Sequence, residues 1–79
     1  MKARVYVSLK NGVLDPQGKA IAHALQALGF DGAEEVRVGR FFDVSLKSGD
    51  KAKAEAMLKD MSGKLLANPV IEDFRVEML

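Results

Sequence analysis

The sequence contains no cysteine and no tryptophan, and only one histidine and one tyrosine among its 79 residues. Without cysteine there are no disulfides, no thiolate nucleophile and no cysteine-based zinc site. A single histidine excludes a multi-histidine metal centre as well. Neither sign of charge dominates, because 12 basic and 11 acidic residues leave a formal net charge of +1 spread along the chain. That balance lacks the electrostatic footprint of a nucleic-acid or membrane-surface binder. No apolar run approaches a membrane span and no signal-peptide pattern opens the sequence, so a cytoplasmic location is expected. At 8.6 kDa the chain is read as a single domain over 1–79, and folding hides only about 60% of the extended chain's surface. Domains this small lean on disulfides, a metal or a partner subunit. With cysteine absent and histidine single, association with other chains is the expected staple.

Residues Lys2 to Leu9 alternate, with Ala3, Val5, Val7 and Leu9 on one side and Lys2, Arg4, Tyr6 and Ser8 on the other. This predicts a strand with one face on a core and one in water. Asp15 then stands where an N-cap belongs, and Pro16 suits the first helical position, where a missing N–H needs no partner. Ile21, Ala24, Leu25 and Leu28 recur at helical spacing, which predicts a helix from Pro16 to Leu28 ended by Gly29. Further on, Ser48-Gly49-Asp50 offers caps for a second helix with Ala54, Met57, Leu58, Met61 and Leu65 as its apolar stripe. Asn68-Pro69 stops that helix. Val70 to Leu79 is then a last strand, with Val70, Phe74, Val76 and Met78 on one face.

The stretch from Ala33 to Lys47 is the structural puzzle. Val36, Val38, Phe42, Val44 and Leu46 share one parity, while Arg37, Asp43, Ser45 and Lys47 occupy the other. A two-residue hairpin at Gly39-Arg40 would split that apolar set between two faces. A three-residue turn would keep the faces but would ask Phe41 to adopt positive φ. One long strand from Val36 to Lys47, bent or bulged at Gly39, fits best. Such a strand extends about 40 Å at ~3.3 Å per residue, whereas a compact domain of this length has a diameter of roughly 30 Å. The overhang is expected to pair with a second copy of the chain, because an unpaired apolar edge invites association. The resulting plan is α+β: a two-layer sandwich in the order β-α-β(long)-α-β, related to a ferredoxin-like fold, with the long middle strand pairing between subunits.

Candidate chemistry is sparse. His23 would serve as a general base, but no serine or carboxylate stands at a spacing that would orient it, so a solvated or interface histidine is expected. Glu34-Glu35 and Glu72-Asp73 are adjacent carboxylates, and neighbours in a strand point to opposite faces, so neither pair makes a dyad. Solvated or edge-protecting charge is the expected role. Lys10-Asn11-Gly12 precedes a helix start, where anions bind, yet it is no P-loop and Asp15 would repel a phosphate. Arg40 interrupts the apolar parity of the long strand and Phe41 the polar one. A local bulge and an intersubunit contact made by the pair both account for this.

One connection is more particular than its geometry demands. Gly12, Asp15 and Pro16 supply the turn, the cap and the first helical residue between strand and helix. Lys10, Asn11, Gln17 and Gly18 are not required by local structure. The string Val7-Ser8-Leu9-Lys10-Asn11-Gly12-Val13-Leu14-Asp15-Pro16-Gln17-Gly18-Lys19-Ala20-Ile21 resembles the PurS family, the small subunits of phosphoribosylformylglycinamidine synthase. Ala24-Leu25 with Leu28-Gly29-Phe30, Val36-Arg37-Val38-Gly39-Arg40 with Phe42, and Asn68-Pro69-Val70-Ile71-Glu72 extend the likeness over essentially the whole chain. A common family form carries lysine where Arg40 stands. The resemblance implies a subunit without catalytic residues, cofactor or metal of its own. In this family's complex a glutaminase releases ammonia from glutamine. A large synthetase uses ATP, with magnesium, to activate the amide oxygen of phosphoribosylformylglycinamide as an iminophosphate, and ammonia displaces phosphate. The small subunit is implied to bridge the other two and to assist ammonia transfer.

On that reading Lys10, Asn11, Asp15, Gln17 and Gly18 are expected to face a partner. Gly39, Arg40, Phe41 and Phe42 are expected to serve self-association, as a homodimer or tetramer. Two other classes are compatible with the composition. One is a ferredoxin-like regulatory module holding a small metabolite at a subunit interface. The other is a small RNA binder, although the aromatic-rich basic strand of such domains is absent.

Overall fold

The alternation along β1 (Lys2–Leu9) places Ala3, Val5 and Val7 in full burial and leaves Lys2 and Ser8 exposed. This is the computed structural model of the chain, and it describes residues 1–47 and 49–79. Ser48, part of the expected capping run, lies outside the described residues. The elements that follow are α1 (Pro16–Ala27), β2 (Gly39–Ser45), α2 (Lys51–Met61), a π-helical turn (Ser62–Leu66) and β3 (Glu72–Met78). The sheet order is β2-β1-β3, with both outer strands antiparallel to β1. The architecture is α+β and consistent with a ferredoxin-like plan.

Both ends of α1 follow from local chemistry. Asp15 Oδ1 accepts the Gly18 N–H at 2.8 Å, and Pro16 occupies the first turn. At the other end Gly29 adopts φ +96°. The Phe30 N–H reaches the Leu25 carbonyl at 2.9 Å and the Gly29 N–H reaches the Gln26 carbonyl at 3.0 Å, the paired bonds of a Schellman ending. In α2, Asp50 Oδ1 accepts the Ala52 and Lys53 N–H groups at 3.0 and 3.3 Å.

The middle strand is one strand, as expected, but a shorter one. Its register against β1 runs without interruption from Lys2↔Ser45 to Ser8↔Gly39, so there is neither a hairpin nor a bulge at Gly39. Residues 34–38 are not strand. Parity is a property of side chains, whereas a strand needs a neighbour's main chain. Beyond Ser8↔Gly39 the chain of β1 turns away through Lys10 and Gly12, so residues 34–38 meet no strand in their own protomer.

Two other expectations shift for equally local reasons. Leu65, expected in the apolar stripe of the second helix, is 83% exposed. The helix widens after Met61, where the Ala67 N–H reaches five residues back to the Ser62 carbonyl at 2.8 Å. That wider turn rotates the stripe, so Leu66 and Ala67 meet the sheet in place of Leu65. Met57 also lies at the open side of the stripe and is exposed. Val70, expected on the last strand, is 79% exposed. Asn68 Oδ1 accepts the Val70 N–H at 3.1 Å and folds residues 68–71 into a turn before β3 begins.

The core lies between the sheet and α2. Ala3, Val5, Val7, Leu58 and Ala67 form its buried centre, flanked by Phe42, Val44, Phe74, Val76 and Met78. α1 takes no part in it and does not pack on the sheet. The protomer is accordingly drawn out, with extents of 49 × 25 × 14 Å and a radius of gyration of 16.0 Å. A compact chain of this length would have a radius near 12 Å.

Leu58 and Leu65 test this packing directly. In chemical denaturation, Leu58→Ala is expected to cost about 3 kcal/mol through the cavity it leaves. Leu65→Ala is expected to stay within about 0.5 kcal/mol.

Candidate functional site

Three connections of the chain meet at the end of the sheet where β1 stops and β2 and β3 start. The Lys10 N–H donates to the Ile71 carbonyl at 2.8 Å, and the Val13 N–H closes a turn onto the Lys10 carbonyl at 3.1 Å. Gly12 makes that turn at φ +87°. Arg37, arriving from the stretch before β2, donates to the Lys10 and Val13 carbonyls at 3.2 and 3.0 Å. Asp15 returns the grip. While its Oδ1 caps α1, its Oδ2 accepts the Val38 N–H at 2.8 Å, and the residue is only 6% exposed. The Val38 bond first, then the Gly18 bond and the charge of Arg37, hold this carboxyl below the ordinary aspartate range.

Gly18 belongs to the same knot. A Cβ at this position would stand 2.1 Å from the Val36 carbonyl oxygen. Only glycine lets residues 36–38 lie this close against the first turn of α1.

A second crossing ties the core side of the sheet. Arg40 pairs with Val7 in the register and so faces the core, on the same side as Phe42 and Val44. It reaches across β1 to Glu72 on β3, with guanidinium-to-carboxylate distances of 2.6 and 3.1 Å, and donates to the Leu66 carbonyl at 3.0 Å. Glu72 also accepts the Asn68 N–H at 2.8 Å. Arg40 and then that N–H hold the Glu72 carboxyl below its usual range. The arginine that broke the apolar parity is thus explained by a partner, not by the bulge considered from sequence. Glu72, read from sequence as solvated or edge-protecting charge, is half of this clamp, and Asp73 lies 3.6 Å from Lys10 Nζ.

Phe41 faces the opposite side, where its ring lies 6.2 Å from that of Tyr6 and Arg4 sits 4.5 Å above it. Arg75 covers Tyr6 at 4.2 Å, and Arg4 is paired with Asp43 at 2.7 Å. The bond from Arg4 keeps the Asp43 carboxyl below the ordinary range. Phe42 is half-buried on the core face, with Arg40 5.7 Å from its ring centre.

The structure therefore divides the sequence candidates. Asp15 and Gly18 are buried and shape the loop from within, Asp15 through its carboxylate and Gly18 through the lack of a side chain. Lys10 is half-buried, and Asn11 and Gln17 are exposed on the surface the knot holds. Gly39 and Phe41 are exposed on β2, an outer strand. Sequence reasoning missed Arg37 and Glu72, which matter through partners far along the chain. His23 lines a cleft of about 270 Å³ with Lys19, Gln26, Glu34 and Glu35. Another cleft, of about 320 Å³, runs beside Asp15, Gln17, Arg40 and Glu72. Among the described residues, no group of three or more histidines and carboxylates could hold a metal ion. Among the same described residues, no helix is long and apolar enough to cross a membrane.

These side chains knit the loops of a small α+β domain to one another. The family model for PurS, phosphoribosylformylglycinamidine (FGAM) synthase, matches residues 2–79, and the chain belongs to that family. The FGAM synthase subunit PurS of Bacillus subtilis is 44% identical over 77 residues, covering 98% of this chain and 90% of the relative. The crystal structure of PurS from Methanocaldococcus jannaschii is 39% identical, with a TM-score of 0.86 over 96% of this chain and 92% of that one. A chain in the structure of PurLQS from Thermotoga maritima is 28% identical, with a TM-score of 0.90 over 99% of this chain and 95% of that one.

Gly18→Ala is expected to destabilise the chain by roughly 1–3 kcal/mol through the forced contact with Val36, read as a lowered melting temperature. Acid supplies a second test. Asp15, Asp43 and Glu72 are depressed by their partners, so each adds stability above its unfolded pKa, near 4, and loses it as pH falls through the lower folded value. Unfolding free energy should decline below about pH 4, and Glu72→Gln should remove part of that decline.

Proposed function

We propose that this chain is the small, non-catalytic subunit of FGAM synthase in de novo purine biosynthesis. It works with a glutaminase and a large synthetase in the cytoplasm. The complex converts phosphoribosylformylglycinamide, glutamine, ATP and water to FGAM, glutamate, ADP and phosphate. ATP and magnesium are used by the synthetase, and this chain holds no cofactor. Its own work is to bridge the other two subunits at a fixed separation and to assist ammonia in passing between them without loss to water. The observation that carries this reading is the likeness, along nearly the whole of both chains, to a chain of the three-part PurLQS assembly.

Self-association is part of the reading, as a homodimer or tetramer. The protomer exposes 5726 Å², against about 4,700 Å² for a compact monomer of this mass. The excess is comparable to the ~800 Å² that one partner contributes to a stable interface. One group of uncovered apolar side chains is Ile21 on α1 with Leu28 and Phe30 just past its end, Leu28 exposed to 74%, beside a half-buried Leu25. A ferredoxin-like plan has four strands and two helices packed on them, and among the described residues this protomer has three strands and one such helix. The missing parts belong beside the free edge of β2, which carries Gly39 to Phe42. A second copy supplies them.

The partner-facing surface is then Lys10, Asn11 and Gln17, held in place by Asp15 and Gly18. Two measurements test the assignment. Affinity capture from the native cytosol should bring down a glutaminase and a large ATP-dependent synthetase, and their absence would sink the proposal. Lys10→Ala with Gln17→Ala should lower glutamine-dependent FGAM formation several-fold more than formation from free ammonia. Equal effects on both would show that the loop does not serve transfer.

A further inference from the structure

α1 is the element that the sheet does not hold, and its direction is set at its base. There the β1–α1 loop and the stretch before β2 grip each other reciprocally. Asp15, from the loop, takes the Val38 N–H at 2.8 Å while capping the helix through Gly18 at the same distance. Arg37, from the other stretch, takes the carbonyls of Lys10 and Val13 at 3.2 and 3.0 Å. Gly18 leaves room for the Val36 carbonyl to lie against the first turn. Farther along, Gln26 Nε2 donates to the Ala33 carbonyl at 3.1 Å. Each charged group bonds two backbone partners, and bonds to ionised groups are the stronger kind.

We propose that this reciprocal lock fixes the direction of α1 in the free protomer, so that assembly docks a preformed arm. Asp15 and Arg37 are thus positioning residues for association, although neither belongs to the apolar side that docks. The inference rests on α1 being an association surface, as proposed above. An arm loose at its base samples many directions, and only the fraction aligned for docking can bind. The apparent dissociation constant rises in inverse proportion to that fraction. The lock is chemically separate from Ile21 and Leu28, so it can be altered without removing an apolar contact.

The absence of cysteine makes the test direct, because Ala27→Cys and Lys59→Cys place one spin label on α1 and one on α2. Both positions are exposed. Distances are measured in an Ile21→Asp background, where no second copy steadies the arm, and association is measured separately with the native residue at that position. With the lock intact the distribution should be narrow. Asp15→Asn keeps one acceptor for the Gly18 cap but replaces the acceptor of Val38 with an amide NH₂, and Arg37→Ala removes both carbonyl bonds. Both should broaden the distribution with α1 helicity retained by circular dichroism. An arm aligned for about a tenth of the time gives a dissociation constant raised about tenfold, and Arg37→Lys should fall between wild type and Arg37→Ala. Distributions of unchanged width in the lock variants, or a broad one with the lock intact, overturn the lock. Broadening without weaker association overturns its role in assembly. Ile21→Asp separates the two ideas, since unchanged association in that variant overturns α1 as the docking surface whatever the lock does.

Discussion

The Asp15 carboxylate directs its two oxygens at backbone N–H groups that belong to different parts of the chain. One is the start of α1 and the other is the approach to β2. A carboxylate this buried is costly unless it is paired and hydrogen-bonded, and the folding of residues 10–18 and 36–38 around it satisfies that requirement. The other features of this end of the protomer depend on the junction. Gly18 matters because residues 36–38 lie close enough to need it, and Arg37 bonds the two carbonyls that the turned loop presents. Among the described residues no buried side-chain nitrogen or oxygen lacks a partner.

The protomer is in this sense two constructions. The sheet with α2 is a finished core, centred on Val5, Val7 and Leu58. α1 with its lock is a rigid projection whose apolar side is left open. The Arg40–Glu72 clamp joins β2, β3 and the end of the π-helical turn, so the loops at this end share one framework. A subunit that bridges others needs such surfaces, stiff at the base and uncovered at the contact.

The sequence made some of this legible and left other parts closed, for identifiable reasons. Alternation in β1, the Asp15 cap, the Gly29 ending and the Ala54–Leu58 stripe are local signals, and the fold uses them as they read. The length of β2 was not legible, because alternation shows which side chains share a face and not whether a neighbouring strand is present. The displacement of Leu65 follows from a π-helical turn that leaves no mark on residue type. Val70 was lost to an asparagine side chain that competes with the strand. Arg40 looked anomalous only until its partner, Glu72, was brought to it from far along the chain. Function was legible through family likeness alone, since the contacts of the candidate site are accounted for by the loops they tie together.

The open side of α1 has a further consequence, in mass action. A chain whose apolar arm is covered only by another chain has no single stability of its own, because its folded population depends on how much of the other is present. Dilution then acts as a denaturant, and each partner acts as a stabilising ligand. A cell that makes such subunits in uneven amounts leaves the surplus copies in their least stable form and open to proteolysis. The uncovered helix would couple the lifetime of each copy to its place in an assembly.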